Sequence, residues 1–441
     1  MKKRTAKVLK WLGVAAIALS LIYTLLLWQA NRDLQRAYSA LEADGRPMRV
    51  EQIIPPAIPD TDNAALVYRA VALQLKSESG GGNNLFHELA DLADRMWADS
   101  TNPQPEERFR ELSERPVVRD ALIALRRGTE KKGCRYDLDY SEGAGILLPH
   151  LQDLRNLSKI LSAQARLNAA EGNVEQAWDD VIASLKLANA LAREPILMSQ
   201  LVRCAQFEIA VDLIHSVAAY APPSQSQNEE IEELLLTFED RSNLVAAIDG
   251  ERLLLGEWAF ALPRSALQIG NELEDGAARE VVEFVVSFNP LLRRDHAAYL
   301  TTMHAYAEAA SEPYYSREAS FEEEMLNAVP WYCFVTQLIT PAYSSVREIF
   351  ASMQARAKVA RAGLAALQYE AEVGAYPSDL ASIAPEGLLD PFTGEPLYYT
   401  ATPAGFAVYS VGENLTDDGD SSSSGERSDD IIWTYVSRAR M

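Results

Sequence analysis

The chain has 441 residues, 48 % of them hydrophobic, which is typical of a globular protein and long enough for two or three domains. Its formal net charge of −22 and isoelectric point near 4.7 argue against nucleic-acid binding, because phosphates would be repelled. Cys134, Cys204 and Cys333 are far apart and odd in number, so they indicate neither a disulfide framework nor a CxxC metal site. Cys204 and Cys333 stand among apolar residues and are predicted to be buried thiols.

The N-terminus differs sharply from this acidic average. Residues 1–10 form a basic tail with five positive charges, and the 18 residues from Trp11 to Trp28 carry no charge. A helix of that length spans most of a bilayer core, and its terminal tryptophans suit the membrane interfaces. We therefore predict a transmembrane signal anchor over 11–29 that contacts the lipid bilayer. The alternative is a cleaved signal peptide, but no small-x-small cleavage site follows.

The basic tail also predicts the orientation of this anchor. Under the positive-inside rule the tail remains in the cytoplasm and the acidic bulk lies on the far side. This corresponds to a single-pass protein of a bacterial inner membrane with its mass in the periplasm. Residues 30–62 continue as a juxtamembrane helix to Ala43 and then a proline-rich linker. Asp62 or Asn63 is the predicted N-cap that opens an extracytoplasmic helical domain over 63–341.

The strongest helical pattern of that domain lies between 147 and 220. Two amphipathic helices meet at Gly172-Asn173, a good helix C-cap pair, and a third helix covers 196–220. This hairpin resembles a tetratricopeptide repeat, although no second copy occurs at the repeat length. A plain antiparallel helical bundle is the alternative. Further along, the apolar segment 331–340 is too short to span a membrane and predicts either a buried helix or an interfacial patch.

The C-terminal region 342–441 has a different sequence pattern, with one long helical segment followed by strand-like segments. Apolar residues spaced three and four apart predict one helix of about 28 residues that stops at Gly374. Three strand-like segments follow at 397–402, 406–411 and 431–436, the first two joined by a short turn. The sequence thus predicts a mainly α protein: a transmembrane helix, a large helical domain, and a C-terminal α+β module with a three-stranded antiparallel sheet.

An acidic, serine-rich loop separates the last two strands. If these strands pair, the ends of the loop meet and its carboxylates converge; these are Asp417, Asp418, Asp420, Asp429 and Asp430. Converging carboxylates repel unless they are solvated or bridged by a hard cation such as calcium. An EF-hand does not fit, because its twelfth position falls on Gly425 where a glutamate is required. Composition alone leaves a calcium site and a solvated acidic loop open.

Four ordered motifs carry a family resemblance. GAYPSDL (374–380), DPFTGEPLYY (390–399), VYSVGENLTDDGD (408–420) and SDDIIW (428–433) follow the long helix. This succession resembles the C-terminal domain of the major pseudopilin of type II secretion systems, whose acidic loop binds structural calcium. The resemblance implies that Ser410, Asp417 or Asp418, and Asp430 with Asp429 are the metal-binding residues.

The chain also departs from that family. A prepilin peptidase site with its glutamate is absent from the segment KVLKWLGVAAIALS, and over 300 residues separate the anchor from the module. We therefore expect a membrane-tethered structural or scaffold protein, accessory to secretion or envelope assembly, rather than a filament subunit. We expect protein partners in the cell envelope and no catalysis.

Two other functions remain open. In the first, residues 147–220 form a helical-repeat adaptor that binds a partner, with no metal function; exposed aromatic residues on a concave helical face would favour it. In the second, an envelope hydrolase uses His150, Asp137 and Asp139, and a deep pocket joining these three residues would favour it. Asp137-Leu-Asp139 is otherwise read as a polar strand or loop edge.

Overall fold

The computed structural model describes residues 2–79, 84–99, 101–261, 288–317, 320–340, 345–384, 388–417 and 430–436. The mainly α prediction is confirmed. The described helices are α1 (Lys2–Ala43), α2 (Ala64–Ser77), α3 (Leu85–Ala98), α4 (Pro103–Ser113), α5 (Pro116–Thr129), α6 (Pro149–Ala170), α7 (Val174–Asn189), α8 (Leu197–Ala218), α9 (Gln225–Glu239), α10 (Ser242–Glu251), α11 (Trp258–Ala261), α12 (Asn289–Ser311), α13 (Phe321–Ala328), α14 (Phe334–Ile339) and α15 (Val346–Val373), with a π-helical turn over Arg252–Glu257.

Helix α1 is continuous from the basic tail through the apolar segment to Ala43. Its apolar half is exposed, whereas Ala30, Leu34 and Leu41 are buried against α12 and the domain core. It is long and apolar enough to cross a membrane. The chain leaves the helix at Gly45, whose φ of +69° is the left-handed conformation that favours glycine at a helix end.

Helices α2 to α7 surround one apolar cluster, and α1, α7 to α10, α12 and α15 share a second. Asn63 caps α2 by accepting a hydrogen bond from the Ala65 N–H at 3.1 Å, as one of the two predicted N-caps. The predicted hairpin is present: α6 ends at Ala170, Gly172 adopts a φ of +86°, and α7 begins at Val174.

The C-terminal region has the predicted helix and sheet. Helix α15 has 28 residues and ends at Gly374, whose φ is +82°. The sheet has the order β1-β2-β3, is antiparallel throughout, and consists of β1 (Tyr398–Thr402), β2 (Gly405–Ser410) and β3 (Ile431–Val436). One side of α15 packs on β2 and β3, and α8 and α9 pack against it as well. The sheet therefore shares a core with the helical domain.

The apolar segment 331–340 forms the short helix α14. The Asp295 carboxylate of α12 caps it by accepting hydrogen bonds from the N–H groups of Val335 and Thr336 at 2.8 and 3.0 Å. Cys333 is buried, as is Cys204, in agreement with the prediction for both thiols. Trp331 remains 75 % exposed, so the segment is only partly buried.

Candidate functional site

The acidic loop begins and ends at neighbouring positions of the sheet. Strand pairing sets Ser410 of β2 opposite Ile431 of β3, so the loop between them has its two ends side by side. Three of the five predicted metal-binding residues, Ser410, Asp417 and Asp430, belong to the described part of the chain. The other two, Asp418 and Asp429, lie outside the described residues.

Asp417 and Asp430 both act on the hydroxyl group of Tyr409. The Tyr409 hydroxyl donates a hydrogen bond to Asp417 Oδ1 at 3.1 Å. Burial, this hydrogen bond and the negative charges of Asp417 and Asp430 together raise the pKa of Tyr409 to about 12. Both carboxylate oxygens of Asp430 are shielded from solvent. Two of the predicted carboxylates therefore act on the same side chain at the end of β2, one by a hydrogen bond and the other by its charge.

Ser410 makes a different contact. It is fully buried, and its hydroxyl donates to Asp390 Oδ1 at 2.9 Å. The N–H of Val411 donates to Asp390 Oδ2 at 3.0 Å, and the N–H of Phe392 donates to Oδ1 at 2.9 Å. Ser410 thus ties the Asp390 turn to the sheet: its hydroxyl hydrogen is used by Asp390, and its oxygen accepts a hydrogen bond from the Gly412 N–H at 3.3 Å. Asp390 was not predicted as a site residue, although the Asp-Pro turn in the sequence marks its position.

The chemistry of this region fits a hard cation in part. Asp417 and Asp430 supply anionic oxygens, and calcium takes six to eight oxygen ligands. Further oxygens would come from Asp418, Asp429 or backbone carbonyls. Within the described ranges, no group of three or more His, Cys, Asp or Glu side chains is arranged to hold a metal ion.

A second candidate region lies in the helical domain. Asp137, Asp139 and His150 line one cavity of about 610 Å³, together with Tyr136 and Asp153. The structure therefore brings together the three residues of the hydrolase alternative. Tyr136 stacks on the His150 ring with the ring centroids 4.1 Å apart.

Both His150 and Asp139 hold local structure in this cavity. His150 Nε2 lies 3.0 Å from Glu194 Oε1, and the same oxygen accepts a hydrogen bond from the Ser199 hydroxyl at 2.5 Å. Glu194 thus stands between the serine and the histidine, which differs from a nucleophile–base pair. Asp139 accepts hydrogen bonds from the Ser141 hydroxyl and N–H at 2.5 and 3.0 Å, and these bonds lower the pKa of Asp139.

The chain was also compared with known proteins. No family model matches it, and neither the curated proteins nor the solved structures provided a match.

Proposed function

We propose that the protein is a single-pass structural protein of the bacterial inner membrane, with its N-terminus in the cytoplasm and its helical domain and C-terminal module in the periplasm. Its role is that of a scaffold or accessory protein in secretion or envelope assembly, without catalysis. The module is pseudopilin-like and binds calcium through its acidic loop.

The two halves of α1 carry this proposal. In the apolar half Trp11, Leu19 and Trp28 are 69, 67 and 57 % exposed, whereas Ala30 and Leu41 are at most 1 % exposed. An all-round apolar surface of this length is costly in water and favourable in a bilayer. The buried half continues the same helix into the domain, so the domain would stand directly on the membrane surface.

The parallel packing of α1 on α12 supports this position. Tyr23 contacts Phe288 with ring centroids 5.6 Å apart, Arg294 donates to Gln29 Oε1 at 3.1 Å, and His304 Nε2 lies 3.3 Å from Asp44 Oδ2. The start of α12 is therefore level with the end of the apolar half. Trp331 precedes α14, which is capped by Asp295 of the same region, and its exposed indole suits a membrane interface.

The packing of α15 supports a structural role other than filament formation. In addition to the sheet, α8 and α9 cover this helix, and Arg361 of α15 forms ion pairs with Glu232 and Glu239 of α9 at 2.7 and 2.5 Å. A helix covered in this way has little surface left for packing against other subunits.

Topology is tested with reporter fusions after Met441. Alkaline phosphatase, which is active only in the periplasm, should be active there, and a cytoplasm-dependent fluorescent protein should be dark. The chain should remain in the membrane pellet after alkaline carbonate extraction. A bright fluorescent fusion together with an inactive phosphatase would reverse the orientation, and release by carbonate would contradict the anchor.

Calcium binding is tested by thermal unfolding of the full chain in detergent. Calcium should raise the melting temperature and a chelator should lower it, because the ion removes the repulsion between Asp417 and Asp430. Asp430→Ala should abolish this response. Asp379→Asn, which removes a carboxylate elsewhere in the same module, is the matched control and should respond like the wild type. A wild-type melting curve that does not change with calcium would leave the loop as a solvated acidic segment.

A further inference from the structure

A cavity of about 460 Å³ lies between α3, α6 and α8, distant in sequence from the acidic loop. Its volume is within the range of small-molecule sites. Met96, Ala163 and Ile209 contribute apolar surface, and Trp97 stands at its edge with 47 % of its surface exposed. Charged side chains of both signs complete the lining.

Two of the acidic side chains of this cavity already have partners. Lys159 Nζ lies 2.6 Å from Asp94 Oδ2, and Arg356 of α15 pairs with Glu208 at 2.9 Å. Within each of these ion pairs the two charges compensate one another. They leave Arg166 of α6 and Asp212 of α8 as the remaining inner charges, with Arg155 exposed nearby.

Arg166 is held in place by stacking rather than by a carboxylate. Its guanidinium carbon lies 4.1 Å from the centroid of the Trp97 ring. Its Nε is buried and, within the described part of the chain, has no hydrogen-bond partner. Because Arg166 lines the cavity and, among the described residues, has no carboxylate within ion-pair distance, the other nitrogens of its guanidinium are the donors that an anionic ligand would use.

Asp212 is the opposite charge of this cavity. Burial raises its pKa to about 6, although the charges of Arg356 and Arg166 act to lower it. The charge of Arg166 acts on the pKa of Asp212, and the charge of Asp212 acts on the pKa of Arg166. Among the described residues, however, the two side chains form no ion pair within 4 Å. The cavity therefore holds a cation and an anion apart.

The separate positive and negative charges of Arg166 and Asp212 determine which ligands can bind in this cavity. A purely anionic ligand would be repelled by Asp212, and a purely cationic one by Arg166 and Arg155. A ligand that carries both charges on neighbouring atoms satisfies both groups, and an apolar substituent can contact Trp97 and Ile209. We propose that this cavity binds a free α-amino acid with an apolar side chain, its carboxylate at Arg166 and its ammonium group at Asp212.

The test is a calorimetric titration of the full chain in detergent with L-leucine and L-phenylalanine. N-acetyl-L-leucine lacks the cation and L-leucine amide lacks the anion, so each should bind at least tenfold more weakly than L-leucine. Arg166→Gln and Asp212→Asn should each weaken L-leucine binding at least tenfold. Arg119→Gln on α5, an exposed position outside the cavity, should bind like the wild type.

Three results would overturn the proposal: no binding of either amino acid, binding of the acetylated or the amidated analogue as tight as that of L-leucine, or unchanged L-leucine binding by both variants. The unliganded melting temperature shows that a variant has folded, and Arg166→Lys retains the charge if Arg166→Gln does not fold. This inference does not depend on the membrane anchor, so its failure leaves the topology result unaffected.

Discussion

His215 is a half-buried titratable residue at the contact between the helical domain and the sheet, and its Nε2 is shielded from solvent. It lies on α8, and its ring stacks on the Trp433 ring of β3 with centroids 4.5 Å apart. Burial, with a smaller contribution from the positive charge of Arg356, lowers the pKa of His215 to about 3. The ring is therefore neutral in the folded protein at neutral pH, and Nε2 has no hydrogen-bond partner within the described residues.

This histidine predicts an acid-sensitive contribution to stability. Because its folded pKa lies below the unfolded value of about 6.5, the contribution is complete above pH 6.5 and is lost as the pH falls towards 3. Between pH 7.5 and 5 the loss should reach about 2 kcal/mol. In urea unfolding at both pH values, His215→Phe should reduce the difference in free energy by that amount.

A second variant, His215→Gln, distinguishes the effect of His215 protonation on stability from the effect of ring stacking on Trp433. It should also reduce the acid-dependent difference, but it should lower stability at both pH values because the stack on Trp433 is lost. If both variants keep the wild-type difference, His215 does not cause the acid sensitivity.

Such pairings could not be predicted from the sequence. His215 reads there as one residue of an apolar helix, and Trp433 as part of a strand more than 200 residues later. The same holds for Trp97, Arg166 and Asp212, which come from three helices and carry no common motif. The approach of the two ends of the acidic loop was predictable, because strand pairing alone sets Ser410 opposite Ile431.

At the level of elements, α15 approaches the sheet closely at one glycine. A Cβ atom added to Gly363 would lie 2.1 Å from Cε3 of Trp433, which is buried and stacked on His215. Glycine is otherwise unfavourable within a helix, by about 1 kcal/mol relative to alanine. The close approach of helix and strand explains its presence at this position.

Gly363→Ala should therefore destabilise the protein despite its better helix propensity. Overpacking of a core site costs roughly 1–3 kcal/mol, and urea unfolding of the full chain measures it. Gly13→Ala is the matched control, because no atom lies within 4 Å of its added Cβ. Equal or higher stability of Gly363→Ala would contradict the rigid contact between α15 and β3.

The sequence predicted best those helices, strands and turns that depend on the pattern of neighbouring residues in the chain. The 28 residues of α15, its end at Gly374, the α6–α7 turn and the three strands follow from periodicity and turn residues. The π-helical turn Arg252–Glu257 was not predicted. It places Glu257 where the Tyr38 hydroxyl donates to it at 2.8 Å and His296 Nε2 lies 3.2 Å away, a contact of three distant segments.

For the whole molecule, these contacts make the second half of α1, which continues the proposed membrane anchor, part of the core. Tyr38 and Leu41 belong to the same helix as the apolar segment, and Leu41 is 1 % exposed. Asp44, just beyond the helix, pairs with Arg46 at 2.7 Å, and Arg46 in turn lies 3.5 Å from Asp249. The helix would therefore transmit its orientation in the bilayer directly to the domain, without a flexible linker between them.

This continuity predicts that substitutions at two leucines of α1 differ in their effect on stability. Leu41→Ala should lower the free energy of unfolding by about 2–4 kcal/mol, because it leaves a cavity between α1 and the domain. Leu19→Ala, at a position 67 % exposed, should leave domain unfolding unchanged. Likewise, a chain that starts at residue 29 should melt like the full chain, whereas one that starts at residue 46 should melt lower. Equal melting of these two truncated chains would contradict the role of α1 in the core, because the second lacks Leu34 and Leu41.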